Sequence, residues 1–283
     1  ALGGAVYVGV MVFLFVGLFR RRQQEQGRPV DGVRVVLFGG IIIPVIILIV
    51  VYGSTLVTMA ALRTPDNMVD DLVIEVIGHQ WWWEVRYPSQ DFVTANEIHI
   101  PVDQSVEIVL ASEDVIHSFW VPELHGKLDL IPGDITSFWL EADEAGVYWG
   151  ECAEFCGIQH AKMQFVVVAE PAEQFFDWVE RQQLPAPEPT DPLVQQGQQI
   201  FLGSACVYCH RIEGTNASGD LGPDLTHLAS RLTLAAGTLE NNVGNLGGWI
   251  IDPQHVKPGN LMPPTNLSGE ELQALLAYLA TLE

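Results

Sequence analysis

Two stretches of the chain carry no charge at all, residues 1–19 (ALGGAVYVGVMVFLFVGLF) and residues 35–62. About 20 consecutive apolar residues cross the hydrocarbon core of a bilayer, so each stretch is long enough to span it as a helix. Between them lies RRRQQEQGRPVDGVR, which holds Arg20, Arg21, Arg22, Arg28 and Arg34. Short Arg-rich loops stay cytoplasmic, so the pattern predicts a two-helix transmembrane hairpin over 1–62, with everything beyond it outside the cytoplasm. A secretory signal has its charges before a shorter apolar stretch and a small-residue cleavage site after it, and neither holds here. Pro44 inside the second span predicts a kink.

From position 71 the periodicity shortens. DLVIEVIG, EIHI, SVEIVLA, ITSFWLEA, GVYWG and MQFVVVAE are β-branched, aromatic and partly alternating, with turn signals at Tyr87-Pro88 and Ile131-Pro132-Gly133. Short strands at this spacing over 71–169 predict a sandwich or barrel, within a domain at 63–180. AEQFFDWVERQ, after Pro171, predicts a short helix. The linker at 181–192 then packs four prolines into QQLPAPEPTDP, which reads as a stiff extended connection. Beyond it the chain is helical. Asp191 with Pro192 is an N-cap followed by proline at the first helical position, and Ser268 with Glu271 is a capping box ahead of Leu272, Leu275, Leu276 and Leu279 on one face. A helical module at 193–283 has a small core, so something else is expected to hold it together.

Charge and composition narrow the field. The 283 residues carry 35 Asp and Glu against 13 Lys and Arg, a net charge of -22, which excludes binding nucleic acid by phosphate neutralisation. An apolar fraction of 48% with eight Trp excludes disorder, and four Cys are too few for a disulfide framework. From position 63 onward there are 33 acidic and eight basic residues, so the predicted external part is strongly negative. Such a body attracts a basic soluble partner.

The four cysteines fall in two places. Cys206-Val207-Tyr208-Cys209-His210 has the C-x-x-C-H spacing of c-type haem attachment, in which each thiol bonds a vinyl group and the adjacent imidazole reaches the iron. A redox-active or structural C-x-x-C pair would leave His210 incidental. Met262, in LMPP, offers a thioether for the opposite face, with His227 and His255 as other candidates, and Met/His ligation gives an electron-transfer haem without an open site. This module resembles a class I cytochrome c domain. The resemblance implies that the Pro223 region supports His210 and that Trp249 packs near the haem.

The other pair lies in Cys152-Ala-Glu154-Phe-Cys156-Gly-Ile-Gln-His160-Ala-Lys-Met163, a loop of soft ligands suited to copper. Its two thiolates could bridge two coppers, with His117 in HSFW supplying a further imidazole from 35 residues upstream. A Cys152–Cys156 disulfide would leave His160 and Met163 without a role, and zinc makes poor use of Met163.

With the hairpin, GHQWWW (Gly78–Trp83), HSFWVP and KLDLIPG, this loop closely resembles cytochrome c oxidase subunit II, of the bacterial kind with a fused cytochrome c domain. The resemblance implies a multi-domain membrane protein: hairpin, cupredoxin-like β-sandwich and all-α cytochrome c domain. It implies a dinuclear copper A centre held by the side chains of His117, Cys152, Cys156, His160 and Met163 and by the Glu154 carbonyl. It also implies covalent haem c on Cys206, Cys209, His210 and Met262, and magnesium at the Glu154 carboxylate near Asp129. Trp81 becomes the residue through which electrons enter, although consecutive Trp on a strand usually serve packing. His79, His99 and His125 are expected to be ordinary hydrogen-bonded histidines. Many relatives carry a Glu near the start of the second span, linked to proton uptake. This chain has VRVVLFGG there, with only Asp31 upstream, so that role does not transfer.

The implied function is the electron-input subunit of a respiratory oxidase in the bacterial inner membrane, with both external modules on the outer face. Electrons pass from a soluble, basic cytochrome c or similar donor to haem, to copper, and on to catalytic subunit I, where oxygen is reduced. Two other readings remain open: the same role in a haem-copper nitric oxide reductase, and a membrane-anchored structural or assembly subunit. Oxidation of a basic donor by the complex is expected to slow as salt rises, since screening weakens attraction beyond about 10 Å at 0.1 M. A rate independent of ionic strength in a steady-state assay would remove electrostatic docking.

Overall fold

The uncharged stretches fold as helices in the computed structural model of the chain, which describes residues 2–20, 31–61 and 68–283. Helix α1 covers Leu2–Arg20. The Asp31 carboxylate then accepts from the backbone N–H groups of Val33 and Arg34 and caps a second helical run. That run comprises α2 (Gly32–Val35), a π-helical stretch (Val36–Ile42) and α3 (Ile43–Ala61). Pro44 cannot donate to the Gly40 carbonyl and its ring crowds it, and the widened turns directly before it accommodate that clash. Among the described residues one helix, Gly32–Ala60, is long and apolar enough to cross a membrane; the Gly3–Phe19 helix is apolar but shorter. The Arg-rich segment 21–30 and the predicted boundary at 62–63 lie outside the described residues.

Residues Thr64–Glu283 form a second compact unit, separate from Ala1–Arg63. Its first part has ten strands: β1 (Met68–His79), β2 (Trp82–Tyr87), β3 (Phe92–Ala95), β4 (Glu97–Pro101), β5 (Ser105–Ser112), β6 (His117–Trp120), β7 (Leu128–Leu130), β8 (Thr136–Leu140), β9 (Gly146–Cys152) and β10 (Gln164–Glu170). They make two five-stranded sheets, ordered β3-β2-β1-β5-β8 and β4-β10-β9-β6-β7. Alternate residues from both, Ile74, Val76, Val85, Ile98, Ile108, Phe119 and Phe165 among them, bury a common core around Trp83. Two-residue periodicity puts every second side chain inward, which is why these segments make a sandwich. The parallel pairings β1/β5 and β10/β4 require crossovers between the sheets.

Helix α4 (Ala172–Gln182) matches the predicted segment and lays Phe175, Trp178 and Val179 on the sandwich. The proline segment has no regular structure, yet the Ala186 N–H donates to the Glu213 carbonyl at 3.0 Å and pins it to the helical module. There α5 (Pro192–Leu202) starts at the Asp191 cap as expected. A two-residue ladder, β11 (Thr233–Leu234) with β12 (Leu239–Glu240), interrupts an otherwise helical chain. Then follow α6 (Val243–Ile251), α7 (Pro253–Val256) and α8 (Gly269–Leu279), the last behind the Ser268/Glu271 capping box. Phe201 of α5 and Leu275, Tyr278 and Leu279 of α8 centre a separate small core.

A buried ionic cluster joins these parts. His99 sits between Glu170 (2.8 Å from Nδ1) and Glu97 (2.9 Å from Nε2), with its ring stacked on Trp178 at 3.9 Å. The second Glu97 oxygen accepts from the Leu232 N–H of the helical module at 2.8 Å. Burial alone would lower the His99 pKa, but the two carboxylates outweigh it and the pKa is raised. A raised folded pKa contributes stability that is fully present below the imidazole's ordinary value of about 6.5 and is lost as pH climbs through the folded value. The melting-temperature advantage of the native chain over His99→Gln is therefore expected to shrink between pH 6 and pH 9. An advantage that does not change with pH would mean that His99 carries no proton there.

Candidate metal centre

One end of the sandwich collects the copper-loop residues. His117 opens β6 and Cys152 closes β9, two antiparallel neighbours in which Phe119 pairs with Cys152. The Cys152 N–H donates to the Met163 carbonyl at 3.0 Å and draws the far end of the loop back onto the strand. The Cys152 and Cys156 sulfurs are 3.7 Å apart, far beyond a disulfide bond. His117 Nδ1 lies 3.9 Å from Cys152 Sγ, His160 Nδ1 3.8 Å from Cys156 Sγ, and Met163 Sδ 3.7 Å from Cys156 Sγ. The Glu154 carbonyl oxygen is 3.2 Å from Cys152 Sγ. His117 and Met163 are fully buried. All six candidate donors converge, and His117, Cys152 and Cys156 place their ligand atoms within 4.8 Å of one another.

The cluster is electrostatically poised for cations. The Cys152 thiol is held well below its ordinary range, chiefly by the hydrogen bond with Cys156 and, against burial, by His117 and the backbone of Ser118 and Glu154. Cys156 is pushed up, first by that same bond and then by burial. The two sulfurs thus keep one proton between them, as like charges at this distance must. Cations replacing that proton would meet two thiolates, two imidazoles and a thioether, a donor set that fits copper better than zinc.

Supporting residues, which the sequence reading missed, set these donors. His117 Nε2–H donates to the Asp114 carboxylate at 2.8 Å, which leaves the Nδ1 lone pair facing the sulfurs. The other Asp114 oxygen accepts from the Gln80 N–H at 2.6 Å. A Cβ on Gly78 would lie 2.7 Å from the His117 ring, so only glycine lets that imidazole lie against β1. The Cys156 carbonyl accepts from Gln80 Nε2 at 2.7 Å and from the Trp81 indole at 3.0 Å. Trp81 is therefore in the turn before β2, half-buried beside the copper loop, while Trp82 and Trp83 are on the strand. A carboxylate three residues before a candidate His ligand was the available signal for Asp114. A cavity of about 630 Å³, lined by Trp120, Lys127, Glu151, Cys152, Ala153, His160 and Ala161, opens beside the cluster. Glu154 and Asp129 both have exposed side chains.

In the helical module Cys206 lies on a 3₁₀ turn (Ala205–Tyr208) that Cys209 closes, and both thiols are unbonded. His210 Nδ1–H donates to the Pro223 carbonyl at 2.7 Å, so Nε2 is the ring nitrogen left for a metal. Burial lowers the His210 pKa, which keeps that nitrogen unprotonated. The Met262 backbone is fixed on both sides, its N–H by Asn260 Oδ1 and its carbonyl by Gln254 Nε2. His227 has both ring nitrogens against carbonyls, of Glu283 and Gln182, and His255 is exposed. His79, His99 and His125 bond Glu84, the two carboxylates and the Gly126 carbonyl respectively. Trp249 is half-buried on α6.

Comparison with known proteins agrees with this geometry. Residues 91–170 match the family described as cytochrome C oxidase subunit II, periplasmic domain, and residues 194–283 match the cytochrome c family. Cytochrome c oxidase subunit 2 of Alkalihalophilus pseudofirmus is 39% identical over 99% of this chain and 83% of its own length. The chain belongs to the cytochrome c oxidase subunit 2 family. The subunit 2 protein of Bacillus sp. strain PS3 is 35% identical over 94% of this chain and 80% of its own. The crystal structure of the periplasmic domain of subunit II of the Bradyrhizobium japonicum oxidase aligns at a TM-score of 0.39 and 30% identity, over 41% of this chain and 96% of that one. As a subunit 2 protein with a cytochrome c domain, the chain is an electron-input component of an oxidoreductase complex, and its two domains imply copper A and haem c. Asp114→Asn is expected to weaken copper uptake by about 10–100-fold, the usual effect of losing a partner that orients a ligating His. Equal uptake in a competitive copper titration would mean that other contacts set the His117 ring.

Proposed function

We propose that this chain takes electrons one at a time from a soluble donor at its cytochrome module and delivers them through its copper domain to the catalytic subunit of a haem-copper oxidase. The convergence of four further donor atoms on two sulfurs 3.7 Å apart carries this reading. We assign copper A to His117, Cys152, Cys156, His160, Met163 and the Glu154 carbonyl, and haem c to Cys206, Cys209, His210 and Met262. One-electron exchange at saturated coordination is the chemistry these groups supply when bound.

The residues of the chain do the rest. They bury His117, Cys152, Cys156 and Met163 and fix the His117 and His210 rings by a bond to the second nitrogen of each. The exposed carboxylate of Glu154 is the proposed magnesium ligand facing subunit I, with Asp129 nearby. The domains are read as a hairpin at 1–62, a cupredoxin-like sandwich at 63–180, a linker at 181–192 and the cytochrome module at 193–283. Two membrane spans, the cytoplasmic Arg loop and an outer-face position for both modules in a bacterial inner membrane complete the proposal. A basic cytochrome c or similar protein is its donor.

Electron paramagnetic resonance of the oxidised, copper-loaded chain tests the centre. An electron shared by two coppers gives more hyperfine lines than one nucleus can, and a single-copper pattern would overturn the assignment. His160→Asn is expected to abolish turnover of the complex, whereas normal turnover would make the chain a scaffold.

A further inference from the structure

Lys257 is 3% exposed, although lysine is among the residues least often buried. Its ammonium reaches out of the cytochrome module and donates to the Trp81 carbonyl at 3.0 Å and to the Ala235 carbonyl at 3.2 Å. Burial first, and the Lys162 ammonium second, pull its pKa down to about 7. A charge kept at that cost must make its hydrogen bonds with good geometry.

What lies on either side gives the contact its meaning. Toward the module, Asn260 Nδ2 donates to the Lys257 carbonyl at 2.7 Å and to the Pro253 carbonyl at 2.9 Å, while its Oδ1 accepts from the Met262 N–H at 2.8 Å. Gln254 bonds the Asn260 and Met262 carbonyls and accepts from the Gly259 N–H. Helix α7 and the turn after it thus form one hydrogen-bonded frame from Lys257 to Met262.

Toward the copper loop, Gln159 Nε2 donates to the Pro258 carbonyl and Lys162 Nζ to the Val256 carbonyl, each at 2.5 Å. Gly259, at φ +82°, lies so close to Ile158 that a Cβ there would be 2.1 Å from its Cδ1. The Trp81 residue that receives Lys257 through its carbonyl donates through its indole to the Cys156 carbonyl.

We infer that Lys257 is a positioning residue that seats the Met262 loop of the cytochrome module on the Trp81 turn of the copper domain. The contact makes Trp81 an internal link between the two modules. The seating itself is read from contacts alone; its role in electron transfer rests on the proposed function above.

The test uses the full chain in the purified oxidase with two variants, Lys257→Met, which keeps the aliphatic stem, and Gly259→Ala, which pries the surfaces apart without removing a charge. Amides of residues 79–83 and 156–162 are expected to exchange hydrogen about tenfold faster or more in both. Electron redistribution between haem and copper after rapid reduction is expected to slow by at least about tenfold, with the absorption and paramagnetic spectra of both centres unchanged. Exchange and transfer at native rates in both variants would overturn the seating. The exchange arm needs neither metal nor turnover. Faster exchange in a chain without a dinuclear copper signal would keep the seating and remove the proposed function, whereas a dinuclear signal with native exchange and transfer would do the reverse.

Discussion

Two buried sulfur atoms held 3.7 Å apart are the constraint on which the rest of the structure depends. Two thiolates at that distance repel, and one of them stays protonated until cations arrive. The sandwich answers with preorganisation. β6 brings His117 in from one side, the end of β9 fixes Cys152, and a backbone bond from Cys152 to Met163 closes the loop before β10 begins. Asp114 and Gly78 then decide which nitrogen of His117 faces the sulfurs and how near the ring can come. Each is a small detail of local structure, and together they place His117 and Met163 around the two sulfurs before any metal binds.

The copper loop also receives the second module, so the two halves of the external unit are coupled at the site itself. Pro258, Val256 and Gly259 meet Gln159, Lys162 and Ile158, which lie between Cys156 and Met163. The His99 cluster makes a separate junction on another part of the sandwich, where Glu97 serves both the buried imidazole and the Leu232 amide. Two junctions at distinct places resist rotation as one cannot. The proline segment, itself bonded to the module at Ala186, adds a third restraint and is no free tether.

Much of this was legible in the sequence because its chemistry is written in residue type and spacing. The Asp191 cap and the Ser268/Glu271 capping box form where they are read, and the soft-ligand loop draws its two sulfurs to 3.7 Å. Strands β2, β3, β6 and β7 were not separated, since runs as short as His117–Trp120 carry too few positions to show a period. Trp81 was placed on a strand with its neighbours, but it sits in the turn. Gln80 and Lys257 were invisible for a deeper reason. Each is a common polar residue in an ordinary context, and what it binds is distant in sequence: Gln80 is 76 positions from Cys156, and Lys257 is 176 from Trp81. Only tertiary structure turns such residues into supports.

The same contacts bear on how the acidity of the chain acts. Beyond position 62 there are eight basic residues, and among the described ones Lys257 and Arg231 are buried while Lys162 and Arg86 stay exposed. Lys257 and Lys162 are engaged between the modules, Arg231 is buried against the Asp224 carbonyl, and Arg86 lies on Glu84. The carboxylates are mostly left at the surface. Burying Lys257 where the two modules meet supplies a donor to the Trp81 and Ala235 carbonyls and takes that cation off the surface. With most carboxylates exposed and few cations beside them, the surface that an approaching protein meets is dominated by negative charge, while the interface that carries the Met262 loop to the copper domain holds Lys257 inside.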